Sequence, residues 1–335
     1  SYYGPGDRYE FGEPIFSGGR RPLISVSKVE GRESIKNYSS LEPRLSMNIL
    51  LGKSSSVKAS YNRMTQYIHL LSNTAASSSL DVWTPSTNNI KPEIADAYVL
   101  GYFKNFKNNT YEASIELYYK DLQNQIDYID GADLLINKYL EGDLLTGIGR
   151  AYGLEFLFKK NRGRFNGWLS YTIGRSELKI DGINKFEWYP TRYDQTHNFK
   201  ITSTYKISDR VQFSGNFVYL TGTPVTFPSS KFVIQGFVIP HNASNSRHQF
   251  RIPDYHRLDF SVTIKGRDEK KNGKVRKNDS ELIIGVYNVY NRRNPFSIYF
   301  SQGDGMVTDS YVPGEVTRLS IIGSFVPSIT YNFKF

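Results

Sequence analysis

The residues from Phe199 to Ile207 alternate without a break: Phe199, Ile201, Ser203, Tyr205 and Ile207 oppose Lys200, Thr202, Thr204 and Lys206. A strand sends successive side chains to opposite faces, so this is a strand with one greasy and one wet face. The pattern recurs along the chain. Tyr111, Ala113, Ile115, Leu117 and Tyr119 oppose Glu112, Ser114, Glu116 and Lys120, and Phe165, Gly167, Leu169, Tyr171 and Ile173 form another apolar set. Strands are predicted at 41–52, 56–68, 93–104, 110–122, 150–160, 165–177, 195–206, 210–221, 255–266, 281–293 and 317–335, with a less regular one near 22–29. No segment carries the helical period.

The connections also alternate. Tight polar turns fall at 52–56, 105–109, 160–164 and 207–210, and long connections at 69–92, 123–149, 178–194, 222–254 and 294–316. The charged 266–280 stretch is the one long connection among the short ones. A transmembrane barrel has short turns on its periplasmic side and long loops outside, and its strands need only about ten alternating residues. The expected fold is therefore all-β, a transmembrane antiparallel barrel. No run approaches a transmembrane helix.

Composition agrees. Hydrophobic residues are only 39%, yet aromatics reach 15%, with 25 Tyr and 21 Phe against 3 Trp. Rings with a polar handle suit a boundary that is apolar on one side and wet on the other. Cysteine is absent, which excludes a disulfide or a Cys-ligated metal within the chain. The net charge of +10 is dispersed. Its densest run, Lys265 to Lys277, is interrupted by Asp268, Glu269 and Gly273 and reads as a solvated turn, not a nucleic-acid surface. The opening "SYYGPGDRYEFGEP" has no signal-peptide pattern.

The last residues alternate too. Ile329, Tyr331, Phe333 and Phe335 point one way and Ser328, Thr330, Asn332 and Lys334 the other. A closed barrel is the one sheet that satisfies its backbone in hydrocarbon. A last strand built into such a wall places its terminal aromatics at the membrane boundary.

"SLEPRLSMNILLG" (40–52), "VKASYNRMTQYIHLLSNTAA" (57–76), "DVWTPSTNNIKPEIADAYVLGYFKNF" (81–106), "GRAYGLEFLFKK" (149–160), "GWLSYTIGRSE" (167–177), "YLTGTPVTFP" (219–228), "RIPDYHRLDFSV" (251–262) and "YNVYNRRNPF" (287–296) resemble the barrel portion of TonB-dependent outer-membrane receptors of the Bacteroidota type. In that group a carboxypeptidase-regulatory-like module precedes the plug. The resemblance spans Leu23 to Phe335. It implies a barrel of 22 strands around a plug, of which this chain would supply the C-terminal 11 or 12. Residues 1–40 would be an upstream barrel strand and extracellular loop segment, and 41–335 the C-terminal part of the barrel. Plug and TonB box would lie upstream. A complete twelve-strand barrel is the rival. The terminal strand is also how such proteins present themselves to the barrel assembly machinery.

Other motifs carry less. Asp127, Asp130 and Asp133 surround a glycine, but their every-third spacing departs from a calcium loop. Asp254 and His256 share a strand face that excludes Asp259, against a metal site. The histidines are His69, His197, His241, His248 and His256; His241 and His248 lie near Ser244 and Ser246, but no G-x-S-x-G frames a serine. Gly147-Ile148-Gly149 does not open a helix, as a phosphate loop requires. An enzyme is not expected, nor a cofactor.

Loops on a rigid scaffold carry binding. Trp83, Tyr128, Tyr139, Trp188 and Tyr193 are therefore the candidate ligand-facing residues, with an aromatic girdle as the other role for Trp188 and Tyr189. Lys200, Arg257, Asn288 and Asn332 are candidate lumen or plug-facing groups. The expected function is TonB-dependent transport of a scarce ligand, such as a metal chelate, glycan or peptide. The alternative is a structural or assembly subunit of a larger outer-membrane complex. A soluble binding sandwich is a third reading. Expected partners are the TonB complex through the plug, outer-membrane lipid and lipopolysaccharide, the assembly machinery, and a surface lipoprotein or other envelope proteins. The long loops are expected outside and the short turns in the periplasm.

Overall fold

The computed structural model describes residues 2–71, 81–134, 137–227, 230–234, 237–241, 247–267, 278–302 and 314–334. One antiparallel meander dominates. In chain order its strands are β1 (Arg44–Leu50), β2 (Ser55–Gln66), β3 (Glu93–Phe106), β4 (Tyr111–Tyr128), β5 (Leu144–Lys160), β6 (Phe165–Ile180), β7 (His197–Lys206), β8 (Val211–Leu220), β9 (Tyr255–Lys265), β10 (Asp279–Tyr287) and β11 (Val326–Lys334). Each pairs with its neighbours in sequence, and short Tyr189–Pro190 adds to the side of β6. Among the described residues, the outer edges of β1 and β11 pair with no further strand.

The expected strands are present, with differences in extent; the one expected over 281–293 ends at Tyr287. β4, β5 and β6 run several residues longer at the end that carries the long connections. The stretch expected as one strand over 317–335 is instead the hairpin strand Gly314–Leu319, paired with Ser297–Gln302, followed by β11. Gly323 and the 320–325 bends separate them. Leu23–Val29 is a strand, and it pairs with Gly6–Phe11 in a separate ribbon.

Register makes the faces continuous, because directly paired residues of antiparallel strands share a face. Met47, Ala59, Leu100, Leu117, Leu154 and Ile173 form one cross-sheet row. Ile201, Phe217 and Leu258 continue the same face, as do Ile284, Ile329, Leu282 and Tyr331 near the last edge. The opposite face carries Lys58, Ser60, Glu116, Thr172, Lys200, Thr202, Asn216, Arg257, Thr263 and Thr330. Leu117 is 52% exposed and Leu100 likewise, so this apolar face is not covered by protein. No helix among the described residues is long and apolar enough to cross a membrane.

The apolar face has a sharp boundary. Tyr61, Tyr98, Tyr119 and Tyr152 occupy paired positions on four successive strands. One row further on come Arg63, Asp96, Asp121, Arg150 and Glu177. On β4 the apolar set runs from Tyr111 to Tyr119. At about 3.3 Å per residue and a tilt of roughly 40°, that rises about 20 Å, near the height of a barrel's apolar band. The other boundary is the stack of Phe106, Tyr111 and Phe158, with Lys107 and Lys160 over the Tyr111 ring.

Short connections gather at that second boundary. In the 107–110 turn, Lys107, Asn108 and Asn109 all take positive φ, which asparagine tolerates better than most residues. The ends of the long 266–278 connection are tied by the Gly266 amide on the Ser280 carbonyl at 2.7 Å, with 268–277 outside the described residues. On the polar face, the Tyr118 ring covers two paired glycines, Gly153 and Gly174. A Cβ on Gly153 would stand 2.5 Å from the Ile173 carbonyl oxygen and 2.7 Å from the Tyr118 hydroxyl, so a side chain there requires a shift of the wall.

Candidate functional site: a cavity at the rim of the long connections

The ends of β2 to β6 opposite the short turns are roofed by their connections. Leu71, Ile90 and Leu144 form one small core, and Leu145, Ile180, Ile183 and Tyr189 another. The Gly6–Phe11/Leu23–Val29 ribbon rests on this same rim. Arg20 clasps buried Asp143 through Nε and Nη2 at 2.5 and 2.7 Å, and Asn88 donates to the Tyr9 carbonyl at 2.8 Å.

Arg247 locks the connections together. It donates from Nη1 to Asp127 Oδ1 at 3.0 Å, and from Nη2 to Asp130 Oδ1 and the Tyr128 carbonyl at 2.9 Å each. Its guanidinium lies 4.5 Å from the Tyr128 ring centre. The Tyr189 hydroxyl donates to Asp127 Oδ2 at 2.8 Å, and the Asn184 side chain bonds both the amide and the carbonyl of Arg247. Asp127 and Asp130 thus share one guanidinium. Burial, and then the neighbouring Asp127 carboxylate, push the Tyr189 hydroxyl pKa well above its ordinary value.

Beside this lock lies a cavity of about 280 Å³, lined by Gln66, Leu70, Leu71, Glu93, Gln125, Ile126, Asp127, Tyr128, Leu178, Thr191, Arg192, Tyr193 and His248. One wall is apolar, from Leu70, Leu71, Ile126 and Leu178. The other offers two carboxylates, two amides, a guanidinium and an imidazole. His248 is mostly buried, and desolvation lowers its pKa from the ordinary value. Its Nδ1 lies 2.8 Å from the Pro190 carbonyl, an acceptor, so the neutral ring carries its proton there. Gln66, Glu93 and Leu178 belong to the polar face of the sheet, so the cavity belongs to that side.

Of the residues singled out in the sequence, Tyr128 and Tyr193 line this cavity, and Tyr193 is 64% exposed. Trp83 is adjacent. It pairs with Leu70 in the Ile68–Leu71/Val82–Pro85 hairpin, so Ile68, Leu70, Trp83 and Pro85 share one apolar face. Tyr139 stands apart, edge-on to Tyr9 at 5.6 Å. Trp188 lies on the other side of the wall, over Arg150 at 4.1 Å. Sequence periodicity did not point to His248, Arg192, Gln66 or Glu93. The latter two sit at strand ends, where alternation runs out.

Of the candidate lumen residues, Lys200, Arg257 and Asn332 lie on the polar face and Asn288 follows β10 in a turn. Lys200 is half-buried opposite Ser170 and Val218. Arg257 makes a dense local network, with Asp259 at 2.9 and 3.0 Å and the Tyr255 and Tyr287 hydroxyls at 2.7 and 2.6 Å. Asn288 is buried and ties the Arg292 amide and carbonyl. Asn332 reaches Glu281 at 3.4 Å. Ile329, Tyr331 and Phe333 lie on the apolar face of β11, while Phe335 falls outside the described residues.

The weaker motifs resolve into structure. Asp254 accepts from the Tyr219 hydroxyl at 2.6 Å and the Gly222 amide at 2.9 Å. His256 pairs with the Tyr290 hydroxyl at 2.7 Å on the face opposite Arg257 and Asp259. His69 meets Ser86 Oγ at 2.9 Å and approaches Glu93 at 3.5 Å, but His69 and Ser86 are both buried, so this alignment ties the hairpin to β3 instead of presenting a nucleophile. Ser244 and Ser246 lie outside the described residues, as does the His241 side chain.

The family model "TonB dependent receptor-like, beta-barrel" matches residues 15–289, most of the chain. The chain belongs to this family. Its fold is shared with solved receptors. The ferripyoverdine receptor of the outer membrane of Pseudomonas aeruginosa, bound to ferripyoverdine, is 12% identical with a TM-score of 0.51, over 94% of this chain and 34% of that one. The siderophore receptor PiuA from Acinetobacter baumannii is 14% identical with a TM-score of 0.54, over 87% and 35%. The FrpB iron transporter from Neisseria meningitidis is 11% identical with a TM-score of 0.52, over 89% and 40%. The chain therefore spans little more than a third of the solved receptors it matches. No curated protein matches it in sequence. These neighbours are receptors and transporters, not enzymes.

Proposed function

We propose that the chain is part of the wall of an outer-membrane receptor that imports a scarce ligand, with the rim cavity on the ligand side. The observation that carries this is the sheet itself: eleven strands in register, with an exposed apolar face ending at a tyrosine row and a polar face opposite. An apolar face of that height fits hydrocarbon, and a polar face fits a lumen filled by a plug. Strands and a plug from the rest of the polypeptide would close the sheet between β11 and β1, giving the 22 strands of the Bacteroidota-type receptors. The plug would couple to the TonB complex. The long connections would face outwards and the short turns the periplasm.

A ferric chelate is the first ligand to test, because the structural neighbours include receptors for siderophores. The cavity's apolar wall and exposed Tyr193 also suit a glycan or peptide. A toxin that parasitises such a receptor is a further partner class, since one neighbour is a receptor–pyocin complex. Assembly machinery and a surface lipoprotein remain the other proposed partners.

The test is uptake. A deletion strain, grown on limiting iron with a panel of ferric chelates and on glycans or peptides as sole nutrients, should lose growth on one class. Restoration should require the intact gene and an energised TonB system. Growth equal to the parent on every nutrient, with the protein instead co-purifying in a fixed envelope complex, favours the structural subunit.

A further inference from the structure

The rim cavity is built on a break in the alternation of β4. From Leu122 to Gln125 this strand advances one residue more than β5, which moves from Gly149 to Gly147. Asn124 pairs with neither neighbouring strand there; it takes a φ of 55° and donates through Nδ2 to the Pro92 carbonyl at 2.9 Å. A bulge of this kind re-aims the side chains beyond it. Before it, Tyr119 and Asp121 face outward. After it, Gln125 and Asp127 face the polar side, where Gln66 and Glu93 are directly paired.

The polar wall so formed is rich in acceptors. Asp127 is already satisfied, by Arg247 and the Tyr128 amide on one oxygen and the Tyr189 hydroxyl on the other. Glu93 is therefore the carboxylate that can take a ligand's charge; among the described residues its charge partner is buried His69, 3.5 Å away. Gln66 donates from Nε2 to the Ile68 carbonyl at 2.8 Å, which leaves its Oε1 to accept. His248 donates from Nδ1 to Pro190, which leaves its Nε2 to accept. Thr191 Oγ1 is buried in the lining and has no hydrogen-bond partner among the described residues. Buried polar atoms rarely stay in that state without a bound group to meet them.

Such a wall suits a positively charged group that donates several hydrogen bonds. The facing wall of Leu70, Leu71, Ile126 and Leu178 is aliphatic. Arg192 lies beside exposed Tyr193, its guanidinium 4.8 Å from that ring centre. A guanidinium has five N–H donors, so it can also donate to a ligand carbonyl while keeping the contacts it makes. An ammonium, an aliphatic side chain and a carbonyl together describe the first residue of a peptide. We propose that the rim cavity captures the free N-terminus of a peptide, its α-ammonium on Glu93, Gln66 and His248 and its first side chain on Leu70, Ile126 and Leu178. The cavity's volume of about 280 Å³ is at the low end for pockets that enclose a whole small ligand, roughly 300–1,000 Å³, so it takes one end of a chain and excludes a bulky chelate. A saccharide would stack on an aromatic face, and a guanidinium already covers one face each of Tyr128 and Tyr193. This deepens the import reading and rests on the cavity lying on the ligand side.

The test is titration calorimetry on the full polypeptide purified in mild detergent. The probes are the tripeptide Leu-Gly-Gly, its N-acetylated form, Gly-Gly-Gly, maltotriose and ferrichrome. Leu-Gly-Gly should bind, and acetylating its amine should weaken it by about tenfold or more, because the charge beside Glu93 is lost. Gly-Gly-Gly should bind about tenfold more weakly for lack of the apolar contact. Glu93→Gln should bring Leu-Gly-Gly down to the affinity of its acetylated form and leave that form unchanged. Tyr139→Ala, away from the cavity, should change nothing. Acetylation needs no variant, so it decides the case if Glu93→Gln disturbs the rim. Equal binding of the acetylated peptide overturns the proposal, as does the absence of tripeptide binding at millimolar concentration. Maltotriose or ferrichrome bound in place of the peptides also overturns it, while leaving import standing. Peptide binding by a protein whose deletion costs no growth on any nutrient sinks import and leaves the cavity's ligand intact, so the two readings fail separately.

Discussion

Arg247 and Asp127 stand 120 positions apart in the chain and meet in a 3.0 Å ion pair beneath the rim connections. Arg247 is 5% exposed and Asp127 is 9% exposed. Removing one partner of such a pair leaves the other as an uncompensated buried charge, which costs about 3–5 kcal/mol. Arg247→Met is expected to loosen the connections without unfolding the wall. Limited proteolysis should then cut near 127–134 and 181–193 while the strands stay protected. Unchanged cleavage would show that the pair does not hold the rim.

His248 gives the rim a pH dependence. Its folded pKa lies below the unfolded value because burial disfavours the charged ring. Above about pH 6.5 both states are neutral and the residue contributes no difference. As pH falls below that, the unfolded rim takes up a proton that the folded rim resists, so stability is lost until the folded pKa is reached. The protection factors of the 189–194 amides, corrected for the intrinsic pH dependence of exchange, should therefore fall between pH 7.5 and pH 5, and His248→Asn should flatten the response. Protection that rises with acid would contradict the assignment.

The two faces of the sheet should differ in tolerance. Leu117 and Leu154 sit mid-height on the apolar face, and Thr202 lies on the polar one. Leu117→Arg is expected to cost about 2–4 kcal/mol in a bilayer, whereas Thr202→Arg should be near neutral. The comparison is read as the folded fraction in lipid vesicles across a urea series. Equal costs would mean that the apolar face does not meet hydrocarbon.

Tyr193 and Trp83 should carry ligand affinity once a ligand is known. Both are exposed; Tyr193 lines the cavity, and Trp83 pairs with Leu70 of its apolar wall. Truncating such an anchor typically costs about 1–2 kcal/mol, or roughly five- to thirtyfold in Kd. Tyr193→Ala should show that loss in titration calorimetry, while Tyr139→Ala, away from the cavity, should not.

The wall was legible in the sequence because each strand announces itself locally. The alternation in 111–119 and 199–207 needs no partner to be seen, and short turns against long connections gave the order of the hairpins. The site was only half legible. Tyr128 and Tyr193 stood out as loop aromatics, but nothing local distinguishes them from Tyr139 or Trp188. What separates them is which side of the wall their connection folds over. That is fixed by contacts such as Asn184 with Arg247 and Trp188 with Arg150, which join residues far apart in the chain and leave no periodic trace. The same holds for the 317–335 stretch, where alternation continues across a bend.

Each strand of the meander finds its partner one hairpin away. Ordering a pair therefore closes only a short loop of chain wherever the turn is short, and assembly can advance one hairpin at a time. The slow, committing events fall elsewhere, at the two unpaired margins and at the ties among the connections. A destabilised turn should thus retard growth of the sheet locally. A defect at Arg247 or along β11 should instead leave a largely assembled sheet that is unable to finish.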